Sequence, residues 1–560
     1  DLLKVEQVGR QDNFFHLGGH SLLIIRLQAQ LQSKGVSLDV QSVFKAPTLS
    51  ALAEYLDQAE STNAFKAPAN LIPSGCERIT PDLLPLVALT QGQIDQLAAQ
   101  VPGGMGNIQD IYPLGPLQQG ILFHHMLSQE KGHDSYILPS VYSVETSQAA
   151  EHFIQALNSV VARHDVLRSA IFWEQLPQAV QVVLRDVPVV AKRFELSADS
   201  SVEHQIQARI APGNLWMCLN QASLLQVEMA ADPHSDRYFL LVYFHHIIND
   251  HVGMEILVNE VEAYLQEDNP KLNAPRPYRE YIAHTQALLA SGKTEAYFSE
   301  RFGDLEEPTL PFGVSNTQVS PEDIVEGNLT FAHSVSASIR QLCQELTISP
   351  ASFFHLVWGA VIGRCSGQDE VVFGTVLSGR LQGTTGAAQT PGLFINTLPL
   401  RLSLVGDVKT CLTKAHADLL ALLHYEHASL DLVRECTSLP SEAPLFTSLL
   451  NYRFAESLSA YQTANVVDEG AQEDGQEWLQ DEEGGYERTN YPLALSINDL
   501  GPGGFSLNLQ VINTLDAQQI LGYVETTIDR LLEALLKQPH KPLLSLDILP
   551  AAERQQLLVD

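Results

Sequence analysis

From Ile111 onward the chain alternates, for more than 400 residues, between short apolar runs of strand character and longer runs with helical spacing. The run YFLLVYF at 238–244 is apolar and rich in residues that favour strands, and Met254, Leu257, Val258, Val261 and Leu265 then mark one face of a helix. A helical region at 342–362 leads in the same way into a strand-like run at 371–377. Strands and helices in alternation build α/β layers, because each apolar sheet face needs a cover. A chain of 560 residues also exceeds what one hydrophobic core can hold, so the α/β part is expected as two lobes.

The residues before this part read differently. Leu23, Leu27 and Leu31 recur at helical spacing after Ser21, and Pro47-Thr48 opens a second helix with Leu49, Leu52, Ala53 and Leu56, capped by Thr48. So short a stretch buries little surface, which predicts an all-α helical bundle over residues 1–57 whose first helix is truncated upstream of Asp1. Residues 58–107 carry turn signals (Ser61-Thr62-Asn63, the prolines after Lys66, Pro102-Gly103-Gly104) around a short helical pattern from Thr90 to Val101, and read as a tether with modest structure. The acids at 468–483 read as a solvated loop.

Charge excludes some functions. With 66 acidic against 33 basic residues, the net charge of −33 repels phosphate backbones and anionic lipid, so neither nucleic acid nor a membrane is an expected partner. The six cysteines are scattered, without C-x-x-C pairs, which predicts free thiols, no disulfide framework and no metal. With no long apolar run and no signal pattern the sequence reads as cytoplasmic, its opening on Asp-Leu-Leu-Lys without methionine reads as a piece of a longer chain, and a monomer is the default expectation.

Two glycines in Leu17-Gly18-Gly19-His20-Ser21-Leu22 allow a tight turn, and Ser21 stands where a helix starts. Free N–H groups there suit a phosphate ester on the hydroxyl, although a serine at that place also simply caps a helix. The flanking Asp12-Asn13-Phe14-Phe15 and Val43-Phe44-Lys45-Ala46-Pro47-Thr48 decide between these. Together they resemble the peptidyl carrier domains of nonribosomal peptide synthetases. The resemblance implies that Ser21 carries a 4′-phosphopantetheine arm, installed by a phosphopantetheinyl transferase, whose thiol holds an aminoacyl or peptidyl thioester.

His245-His246-Ile247-Ile248-Asn249-Asp250 falls where the apolar strand gives way to the striped helix. Such a junction holds side chains at a rigid, open edge, and an imidazole there can move a proton near neutral pH. The series YPLGPLQQGILF at 112–123, Arg163-His164-Asp165-Val166-Leu167-Arg168, the histidine pair, Val372 to Arg380, and Gly392 to Pro399 runs in the order of a condensation domain of the same synthetases, which it resembles from about Ile111 to Pro550. That likeness implies two lobes resembling chloramphenicol acetyltransferase around a tunnel, here 108–285 and 286–547, with 548–560 starting a linker to a downstream adenylation domain. It implies that His246 acts on the acceptor amine, that His245 and Asp250 are structural, and that Arg380 pairs with Asp250. The family phrase continues Asp-Gly, whereas this chain has Asp250-His251 and a glycine only at Gly253, so His251 is expected to narrow the tunnel or to add a polar contact. Ser378 and Asn396 are further expected lining residues.

A second pair, His124-His125, followed by Gly132 and Asp134, resembles the signature of dual epimerisation/condensation domains with one extra residue, His133. That subclass inverts the α-carbon of the residue on its upstream carrier and then forms the peptide bond. The implied partners are an upstream adenylation domain and, downstream, an adenylation domain and an acceptor carrier. A plain condensation domain taking a D-configured donor, a stand-alone epimerisation domain and a non-catalytic recruiting domain share the fold and remain alternatives on the sequence alone.

Overall fold

A computed structural model describes parts of residues 7–58 and, with short breaks, residues 65–454 and 491–559. The acids at 468–483 and Ser21 lie outside the described residues. In the leading domain, Ile24, Leu38, Val43 and Leu52 form a small core, on which Leu423 of the main body also packs. The helix Leu49–Gln58 begins as expected, with Thr48 Oγ1 accepting from the Ala51 N–H at 3.2 Å. A Cβ on Gly19 would lie 2.3 Å from the Phe14 ring, so this position requires glycine for close approach.

The segment read as a tether is part of the body. Ile72, Ile79, Leu84, Val87, Leu89, Ile94 and Leu97 bury themselves against a three-stranded antiparallel sheet, β1–β4–β3, built from β1 (Ile108–Pro113), β3 (Ser169–Phe172) and β4 (Val180–Leu184). Only the helix Gln91–Gln100 gives this stretch a regular period, so its apolar residues do not announce a core.

A second sheet orders β2 (Ile137–Val144), β7 (Tyr238–His245), β6 (Leu225–Ala231) and β5 (Ala191–Arg193). The run expected as a strand is β7, an inner strand and nearly all buried, which is why it reads as uniformly apolar. The helices Ser147–Arg163 and His251–Gln266 add Val160, Leu257 and Val261 to this first core. The second lobe is a six-stranded sheet of order β10–β9–β11–β12–β13–β8, from β8 (Ile324–Thr330), β9 (Glu370–Leu377), β10 (Asn396–Ser403), β11 (Ser448–Phe454), β12 (Leu493–Asp499) and β13 (Phe505–Ile512). The helical region expected at 342–362 is two helices, His333–Leu346 and Pro350–Ser366, broken where Thr347 takes φ 56° and Ser349 caps the second.

Two features depart from the expected division at 285/286. The helix Arg279–Ala290 spans that point, with Tyr281, Ile282 and Ala283 in the first core, and Phe298 and Phe302 of the next helix lie in the second. Leu393, Phe394 and Ile395 follow β9 in the chain yet pack in the first core. The tail is packed too: Ile548 and Leu549 lie on the second core, and Tyr523 donates to Glu553 at 2.6 Å.

Candidate active site

β7 ends at His245 and the helix His251–Gln266 begins at Asp250, whose Oδ1 accepts from the Gly253 N–H at 2.9 Å, leaving a tight connection of five residues, 246–250. His245 is fully buried, and His246 is buried as well but keeps 9% of its surface. The His246 main-chain N–H donates to the Tyr136 carbonyl at 2.8 Å, and its Nδ1 lies 2.7 Å from the Asn249 carbonyl oxygen. A carbonyl only accepts, so Nδ1 carries the proton and Nε2 is the basic nitrogen.

His245 has the opposite arrangement. Its Nδ1 accepts from the Ile247 N–H at 3.1 Å, which places its proton on Nε2, 3.1 Å from Asp134 Oδ2. The same oxygen lies 2.5 Å from His125 Nδ1, and Oδ1 accepts from the Tyr136 N–H at 2.9 Å. Burial alone would raise the Asp134 carboxyl, but hydrogen bonds from His125 and His245 outweigh it and hold the group well below the usual carboxylate range. Burial lowers His245. The Trp216 ring stacks on His125 at 4.3 Å, which fixes that imidazole. His124 faces the Tyr136 hydroxyl at 2.7 Å, and burial lowers it as well. Gly132, with φ 71°, supplies a left-handed turn just before His133 and Asp134. The structure therefore brings both histidine motifs onto one carboxylate.

His125, Asp134 and His245 are close enough to form a metal-ligand set. Their protonation does not suit one. With His245 Nδ1 accepting a main-chain N–H, a metal on Nε2 would require a fully deprotonated ring. His125 and His245 both hydrogen-bond to Asp134 Oδ2.

Asp250 is buried and 2.6 Å from Arg380. Burial pushes its carboxyl up, and Arg380, His251 and the N–H groups of Gly253 and Phe394 bring it below its usual value. Arg380 also donates to the Thr390 and Ala387 carbonyls and lies over the Phe394 ring at 4.0 Å. His251 occupies the first turn of its helix, half-buried. Ser378 is half-buried, with Oγ accepting from the Arg380 N–H at 3.4 Å. Asn396 departs from the expected lining role: it is 2% exposed and its amide donates to the Glu426 and Ala428 carbonyls, pinning that turn.

The sequence reading assigns no role to three residues. Gln118, inside the motif at 112–123, donates to the Ile247 carbonyl at 2.7 Å and so holds the connection 246–250. Asn249 Oδ1 accepts from the Gly392 N–H at 2.9 Å. A Cβ on Gly253 would meet Asn249 Oδ1 at 1.7 Å, so this position requires glycine. A cavity of about 730 Å³ in the second lobe, lined by His333, Ser336, Arg340 and Gln344, contains none of these residues.

Fold and site together define a two-lobed α/β protein with a histidine loop at the junction of its lobes. A condensation-domain family model matches residues 108–558 and a phosphopantetheine attachment-site model residues 1–56, and the chain belongs to the condensation-domain family. Over its full length it is 40% identical to malpibaldin synthetase and 39% identical to malpinin synthetase, both of Mortierella alpina. It spans only a small part of each, 10% of the first and 7% of the second. Among solved structures, a four-domain nonribosomal peptide synthetase matches 80% of this chain and 34% of its own at TM-score 0.64 and 13% identity. The condensation domain of the monacolin K polyketide synthase matches 78% of this chain and 100% of its own at TM-score 0.59 and 16% identity. At such identities the likeness is one of fold. No single described helix is long and apolar enough to cross a membrane; one bent pair, His333–Leu346 with Pro350–Ser366, passes on length and composition together.

Proposed function

We propose that this chain joins the acyl group of an upstream carrier to the amine of a downstream acceptor, after inverting the α-carbon of the donor residue. The observation that carries the reading is the shared carboxylate: Asp134 Oδ2 receives both His125 and His245, so the N-terminal histidine pair is wired into the loop that presents His246. Both Mortierella relatives are synthetases, and the four-domain protein of like fold is a nonribosomal peptide synthetase, which agrees with a role in peptide assembly.

Gly19, two residues before Ser21 in the sequence, lies against Phe14, where a Cβ would meet the ring at 2.3 Å. A 4′-phosphopantetheine on Ser21 would supply the thiol that holds the donor as a thioester. His246 Nε2, made basic by the proton on Nδ1, takes the donor α-proton, and the C–H electron pair moves into the acyl carbonyl. A proton supplied by solvent on the opposite face gives the D residue, and the His246 imidazolium releases the proton it took to solvent, which leaves Nε2 unprotonated again. His246 next takes a proton from the acceptor amine as the C–N bond forms and the C–S bond breaks, and the sulfur leaves as a thiol with that proton. The buried Asp134 anion favours positive charge arising at the neighbouring imidazoles.

The test loads Ser21 with an L-aminoacyl arm, adds an aminoacyl-N-acetylcysteamine acceptor, and follows dipeptide by mass and donor configuration by chiral chromatography. The expected product carries a D donor residue. A dipeptide that keeps the L residue removes the epimerisation and leaves bond formation; no dipeptide, or equal yield from His246→Ala, removes the whole reading.

A further inference from the structure

Residues 392–394 follow β9 in the second lobe, yet they underlie the loop that carries His246. Three of their main-chain groups bind Asn249 and Asp250. Gly392 N–H donates to Asn249 Oδ1 at 2.9 Å, Gly392 O accepts from the Asp250 N–H at 3.2 Å, and Phe394 N–H donates to Asp250 Oδ2 at 3.0 Å. Asn249 in turn accepts the His246 Nδ1 proton through its own carbonyl. The position of His246 is therefore set partly by a segment from the other lobe.

Tyr278 closes on that segment. It has no exposed surface, and its hydroxyl donates to the Leu393 carbonyl at 2.5 Å. Burial pushes the phenol well above its ordinary value, so it remains a donor. Its ring leaves no room at residue 392, where a Cβ would come within 2.4 Å of Cδ2, and meets the Phe394 ring edge-on at 5.4 Å. Its main-chain N–H is held by Asp165, at 3.2 Å from Oδ2. Tyr278 also immediately precedes the helix Arg279–Ala290, which leads the chain from the first core towards the second.

We infer that Tyr278 is a positioning residue for catalysis: its hydroxyl, through Leu393 and the Gly392 and Phe394 main chain, holds Asn249 and hence His246 in register with the lobe junction. The inference rests on the proposed role of His246. Removing the hydroxyl leaves the ring in place but frees the Leu393 carbonyl, so the segment can shift under Asn249. Tyr278 has no exposed surface and Leu393 keeps 2%, so turnover is expected to fall without a change in substrate binding.

The experiment uses the full chain with Ser21 loaded and the acceptor thioester above. Tyr278→Phe is expected to lower kcat about tenfold with KM for the acceptor unchanged and the thermal midpoint within a few degrees. Asn249→Ala is expected to do the same, and the double variant to be no worse than the poorer single one, because both act through one segment. An unchanged kcat, a rise in KM that accounts for the loss, or losses that multiply would each overturn the inference. If Tyr278→Phe does not fold, 3,5-difluorotyrosine at 278 keeps the ring and alters only the strength of the donor; an unaltered kcat then overturns it. His246→Ala in the same assay separates the two claims, since full activity there sinks the catalytic reading, whatever Tyr278 does.

Discussion

Asp134 stays charged in a buried place because two imidazoles and a main-chain N–H all donate to it. Asn at 134 would turn one of those donors against an NH2 group. Asp134→Asn is therefore expected to cost about 3 kcal/mol in stability by urea unfolding and to abolish inversion in the chiral assay. The pH dependence has a definite sign. The folded carboxyl sits below its unfolded value, so its contribution is present above about pH 4 and is lost as pH falls further. The stability gap between wild type and Asp134→Asn should accordingly shrink below pH 4. A gap that persists unchanged at lower pH would mean that the hydrogen bonds do not need the charge.

His355 gives a second titration at the residue scale, away from the site. Its Nδ1 donates to the Ala351 carbonyl at 2.6 Å and its Nε2 accepts from the Thr375 hydroxyl at 2.7 Å, so the ring is neutral by construction, and burial lowers it to about 4. Between its ordinary 6.5 and that value the unfolded chain binds a proton that the native chain refuses, so stability falls as pH drops through this window. The contribution is on the order of 3 kcal/mol at most. His355→Gln should flatten the unfolding-midpoint curve between pH 6.5 and 4, though from a lower starting value.

At the scale of elements, the stretch 72–101 makes the strongest departure from the sequence reading. Leu97 is 1% exposed in its core, and Leu97→Ala is expected to destabilise the body by about 2–5 kcal/mol, where a tether would lose nothing. Urea unfolding followed by the buried Trp358 of the second lobe would report it. The difference in legibility has a physical source. β7 and the helix after it were legible because burial on both faces, then on one, writes a continuous apolar run and then a stripe. Outside the helix Gln91–Gln100, the contacts of 72–101 are made by loops, which carry no period. The site divides in the same way. His245, His246 and Asp250 stand within one local phrase, and Arg380 in another, whereas Asn249, Gly253 and Tyr278 matter through residues more than a hundred positions away or through space that a side chain would fill. No local pattern announces a glycine that makes room for an asparagine.

At the scale of the molecule, the lobes exchange parts. The helix Arg279–Ala290 leads out of the first core, and Leu393, Phe394 and Ile395 return to it from the second. Phe394 joins most of the junction: its ring lies under Arg380 at 4.0 Å and against Tyr281 at 4.6 Å, and its N–H binds Asp250. An exchange of this kind makes independent unfolding of the lobes costly, because each would open a buried face of the other. Wild type is expected to unfold in one calorimetric transition over residues of both lobes. Phe394→Ala removes the ring, leaves Arg380 and Asp250 in a cavity, and should lose about 3–5 kcal/mol. If the ring is what joins the lobes, the single peak splits in two and activity falls with the first of them. A single peak merely moved to lower temperature would instead place the coupling in the Asp250–Arg380 pair, and Arg380→Met would then be the variant that divides it.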